Sequence, residues 1–106
     1  MLIVTSSTIP GKEITETLGL VRGSTVRARN VGKDIFAGFK NFIGGEISEY
    51  TELLNTSREE ALQRMILDAQ RIGADAIIEM RFTTSAVMQG ASEILAYGTA
   101  IKLKNL

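Results

Sequence analysis

Between Ser48 and Ile72 the apolar residues Tyr50, Leu53, Leu54, Ala61, Leu62, Met65, Ala69 and Ile72 recur at helical spacings. Such a pattern gathers onto one stripe only in an α-helix. A stripe this long must lie on another layer of secondary structure, so the rest of the chain has to build a surface that covers it. Ser48 is the expected N-cap, and Glu49 and Glu52 place negative charge where the helix dipole favours it. Gly73 supplies the stop. Glu60 stands four residues before Arg64, a favourable pair worth ~0.3 kcal/mol. Asn55-Thr56-Ser57 is a soft point at which the helix is free to break and restart, because Ser57 with Glu60 makes a capping box.

The covering surface is a sheet. Ile94, Ala96, Gly98 and Ala100 form one face of a C-terminal strand, and Leu95, Tyr97, Thr99, Ile101 and Leu103 form the other. Neither face is polar before Lys102, which predicts a central strand covered on both sides, its small face allowing a helix to pack close. Ile78, Met80 and Phe82 alternate with Glu79, Arg81 and Thr83, as in a strand with one buried face. Gln89 to Ser92 is the expected turn between these two strands. Leu2 to Ser6 reads as a short strand, followed by a turn at Pro10-Gly11. Residues 13–29 alternate with Ile14, Leu18 and Leu20 on one side and Thr15, Thr17 and Val21 on the other; one bent strand and a hairpin turning at Gly23-Ser24 both fit. Ile35, Phe36, Phe39, Phe42 and Ile43 predict a short Phe-rich helix ended by Gly44-Gly45. The order of elements predicts one α+β domain over residues 1–106, with two layers and a largely antiparallel sheet under the long helix.

Composition narrows the function. The 106 residues contain no cysteine and no histidine, which removes disulfides, the usual ligands of soft metals and the commonest catalytic nucleophile and base. No segment approaches the about 20 apolar residues of a membrane span, and the N-terminus lacks the basic start of a signal peptide. A cytoplasmic protein is expected, with no membrane partner. The formal net charge is zero, which argues against nucleic acid as a partner. Charge is nevertheless unevenly laid out. Residues 1–45 carry six Lys/Arg against three Asp/Glu, and residues 46–106 carry six against nine. Opposite halves of this kind attract within a subunit or between subunits.

Ile9-Pro10-Gly11, Asp34-Ile35-Phe36-Ala37-Gly38, Gly44-Gly45 with Tyr50, Gly73-Ala74-Asp75-Ala76 and Tyr97-Gly98-Thr99-Ala100 occur in this order along nearly the whole chain. In these stretches the chain resembles the YbjQ-type family of small bacterial and archaeal proteins. The resemblance implies a β-α-β-β unit that assembles into a ring of five subunits. The family's function is uncharacterised, and it often carries a heavy-metal-binding label to which no site motif of this chain corresponds. Family members often have Asn where this chain has Asp75.

Five candidate sites follow. Arg22, Arg27, Arg29, Lys33 and Lys40 form a basic stretch broken only by Asp34, and Arg27, Arg29 and Asp34 are the expected contacts for a small anionic ligand, with backbone N–H groups near Gly32 assisting. Pairing with the acidic stretch 46–60 of a neighbouring subunit is the plainer use of the same charges. Glu46, Glu49 and Glu52 share a helical face and offer oxygens to a hard cation, though first-turn acids serve a helix without any metal. Met80 and Met88 are thioethers that more often pack than bind copper. Ile35, Phe36, Phe39 and Phe42 expose more apolar surface than so short a helix needs to dock, and read as an oligomer interface. Asp34, the one acid of the basic stretch, is the residue on which an enzyme would have to be built. The expectation is a non-enzymatic homo-oligomer without a cofactor, pentameric if it follows the family, that binds a small anion at subunit boundaries; carboxylate-based metal binding is the alternative.

Overall fold

The computed structural model describes residues 1–28, 45–89 and 91–106, with 27, 28 and 45–50 described through their backbone alone. Strand β1 is Leu2–Ile3, β2 is Lys12–Ala28, helix α1 is Gly45–Arg71, β3 is Ala76–Met88 and β4 is Ala91–Asn105. The strands form one sheet in the order β1-β3-β4-β2. β3 and β2 both run antiparallel to β4, and β1 runs parallel to β3. The sheet is therefore mixed, with an antiparallel body. The Phe-rich helix, with Ile35, Phe36, Phe39 and Phe42, lies outside the described residues.

The long helix is a single element. Its described part begins at Gly45, so Ser48 is inside it and is not its N-cap. It also runs unbroken through Asn55-Thr56-Ser57. Ser57 is completely buried, and its Oγ donates to the Leu53 carbonyl at 2.9 Å. That bond to the preceding turn satisfies the hydroxyl inside the helix and removes the reason for a restart. At the other end Gly73 has φ +79°. Its N–H donates to the Gln70 carbonyl and that of Ala74 to the Ala69 carbonyl, both at 3.1 Å. This is the Schellman closure expected of a glycine there.

Contact with the sheet uses a narrower stripe than the periodicity predicts. Ala61, Met65 and Ala69 are fully buried, while Leu53 and Ile72 remain exposed. The small side of β4, with Ala96 and Ala100 completely buried, receives them as expected. On β2 the approach is closer still. A Cβ on Gly23 would lie 2.3 Å from both the Ala61 carbonyl oxygen and the Met65 nitrogen. Gly23 is thus neither a bulge nor a turn but the point where helix backbone rests on strand backbone. Thr25, two residues on, donates from its Oγ1 to the Ser57 carbonyl at 3.2 Å.

Residues 12–28 form one long strand, and the hairpin alternative falls. Two register irregularities, between Ile14 and Glu16 and between Thr17 and Gly19, change which face each side chain takes. Ile14 consequently joins a cluster on the face away from the helix, Leu18 packs against the helix-side core, and Leu20 is 67% exposed. The strict alternation that groups Ile14, Leu18 and Leu20 cannot see this, because each bulge adds a residue to one strand only.

A comparable correction applies to β3. The pairing shifts between Ile78 and Arg81, and Glu79 has φ +52°. Ile78 and Met80 therefore face opposite sides, Met80 toward the helix and Ile78 toward Val4, Ile9 and Ile14. Gly98 makes room for the irregularity, since a Cβ there would meet the Ile77 side chain at 2.6 Å and the Ile78 oxygen at 3.1 Å. Ala91 and Ser92, expected in the turn, already pair with β2 and β3. β4 is central, but its second face is only partly covered. Val4 and Ile9 close over Ile101 and Leu103, whereas Leu95, Tyr97 and Thr99 are half-buried.

The contact at Gly23 generates a prediction. Gly23→Ala places its methyl against main-chain atoms that cannot step aside, and overpacking of this kind costs about 1–3 kcal/mol. Urea unfolding will show a lower midpoint with an unchanged slope; an unaltered midpoint would mean that helix and strand are not in register at this point.

Candidate functional site

The two edges of the sheet differ. Along β2, the Arg22 N–H donates to Asp68 Oδ2 at 3.1 Å, and the Arg64 guanidinium donates to the Ser24 carbonyl. Helix side chains thus occupy backbone groups that a free edge would offer to another strand, a common way of blunting an edge. Arg71 pairs with the same Asp68 carboxylate. The Arg22 N–H bond, with the Arg71 hydrogen bond and the two arginine charges, holds Asp68 below the usual aspartate range, with desolvation opposing. On the other side β1 pairs only with Ala76 and Ile77, and the segment after it bonds Glu79 and Met80. The remainder of β3, Phe82 to Met88, has no charged residue, and Phe82, Val87 and Met88 are exposed.

The sheet face away from the helix holds an arrangement that sequence reasoning missed. Register pairs Arg22 of β2 with Tyr97, and Tyr97 with Arg81 of β3. Val21, Gly23 and Thr25 face the helix, so Arg22 faces away from it, and the same holds for Arg81 between Met80 and Phe82. The three side chains form one row across three strands. Arg81 is anchored: one guanidinium nitrogen donates to the Thr5 carbonyl at 3.0 Å and to the Met80 carbonyl at 2.9 Å. Ser24, Leu95 and Thr83 form the row on one side. Leu20 and Thr99 flank it on the other. The basic stretch contains Arg22, but no spacing rule reaches from there to Arg81, 59 residues later.

The residues singled out from sequence fare differently. Arg27 lies opposite Ser92 near the end of β2, while Arg29, Asp34, Lys33 and Lys40 lie outside the described residues. Glu46, Glu49 and Glu52 fall in the first turns of α1; Glu52 is exposed. Met80 is buried under the helix and Met88 is 69% exposed, about 25 Å further along the same strand, so the two methionines do not meet. Asp75 Oδ2 accepts from the Leu103 N–H at 2.8 Å. An Asn side-chain carbonyl at this position would accept the same bond. A shallow depression of about 350 Å³ on the outer side of α1 is lined by Thr56, Glu59, Glu60, Gln63 and Arg64; it is open and carries both signs of charge.

Asp68 ties helix to edge strand in a pH-dependent way. Its folded-state value is lowered, so its contribution is fully present above the ordinary aspartate value of about 3.9 and is lost as pH falls through the lower folded value. Asp68→Asn will reduce stability at neutral pH by under about 1 kcal/mol, the scale of an exposed ion pair. It will also flatten the loss of thermal stability below pH 4. A variant whose acid limb superimposes on that of the parent would remove Asp68 from this role.

Comparison with known proteins places this geometry in a family. A protein of Photobacterium profundum is 67% identical over 103 residues, covering 97% of this chain and 100% of its own length. Proteins of Methanosarcina acetivorans and Archaeoglobus fulgidus are 55% and 58% identical, covering 99% and 98% of this chain and 99% and 96% of their own. All three are called UPF0145 proteins. A crystal structure from Pediococcus pentosaceus, of a DUF74-family protein with unknown function, shares the fold with a TM-score of 0.64 at 19% identity and covers 98% of each chain. Residues 1–104 match the family model described as "Putative heavy-metal-binding". The chain is a member of the YbjQ family.

Proposed function

We propose that the chain is a non-enzymatic binding protein of the cytoplasm that works as a homo-oligomer, a ring of five subunits, and holds a small anionic ligand at subunit boundaries. The observation that carries the assembly is the sheet face that the described residues leave partly uncovered. Beyond the segment 4–11, no described element covers the face bearing Leu20, Val26, Leu95 and Tyr97, and Leu20 and Val26 are 67% and 58% exposed. A second copy would remove this apolar area from water at about 25 cal/mol per Å². The shape supports the same reading. The Cα radius of gyration is 17.6 Å, against the roughly 13 Å of a compact domain of about 100 residues. The number five rests on the family resemblance, and Ile35, Phe36, Phe39 and Phe42 remain the interface residues proposed from sequence. Arg27, Arg29 and Asp34 are the proposed anion contacts, with the cationic first 45 residues of one subunit meeting the acidic remainder of the next.

The family description favours a second reading, metal binding. The donors do not fit a soft metal, because the chain has neither cysteine nor histidine. Among the described residues no three acidic side chains gather around a common point. A hard cation on Glu46, Glu49 and Glu52 is the form this reading takes here.

Native mass spectrometry of the untagged protein tests the proposal in one spectrum. A pentamer carrying extra mass is expected, and a monomer would overturn the assembly. Paired variants separate the ligand classes. Arg27→Ala with Arg29→Ala is expected to lose anion binding and keep any divalent-cation binding, and Glu46→Ala with Glu49→Ala to do the reverse.

A further inference from the structure

We draw no further inference here: the strongest candidate, the uncharged edge of β3 from Phe82 to Met88 with Phe82, Val87 and Met88 exposed, carries nothing, because nothing among the described residues shows what covers it.

Discussion

The rest of the fold depends on how closely α1 lies on the strands beneath it. Gly23 has no side chain, and Ala96 and Ala100 have one carbon each, so helix backbone comes within contact distance of strand backbone. Dispersion at that range is gained along the whole line of contact, and the small residues lose little rotamer entropy on burial. The arrangement also brings Asp68 and Arg64 to the β2 edge, where they bind the Arg22 N–H and the Ser24 carbonyl. A helix held further away by larger side chains would leave that edge open. One packing choice thereby sets the core and guards one side of the sheet.

The irregularities distribute the remaining surface. Two in β2 and, of the two in β3, the one between Ile78 and Arg81 exchange faces along single strands, so a second apolar cluster forms under Val4 and Ile9 while the helix-side core stays continuous. Past that cluster no described element covers the face, on which Arg22, Tyr97 and Arg81 share a row.

The family's metal label and this chain's residues point in different directions. A chain with no thiol and no imidazole retains carboxylates and thioethers as metal ligands. Met80 is committed to the core and Met88 stands far along the same strand. The cationic features are better formed: one arginine held by two main-chain carbonyls, another on the neighbouring side of a tyrosine, and a bulge that sets their register.

The helix, its C-terminal closure at Gly73, the small face of β4, the central position of that strand and the α+β class were legible in the sequence because each follows from local chemistry or from a period carried by consecutive residues. The N-terminus of the helix was not, since Ser48 has capping chemistry whether or not the helix has already begun. The faces of Ile14, Leu18, Leu20, Ile78 and Met80 were misread because a bulge is a mismatch between two strands and leaves little trace in either one. The Arg22–Tyr97–Arg81 row was invisible for the same reason, being a property of register between three distant segments. Sequence alone therefore located the long helix and the strands among the described residues and excluded cysteine and histidine chemistry. Tertiary structure alone decided which side each strand residue faces and which charges become neighbours, because pairing across the sheet is set by the partner strand and not by the residues next in line.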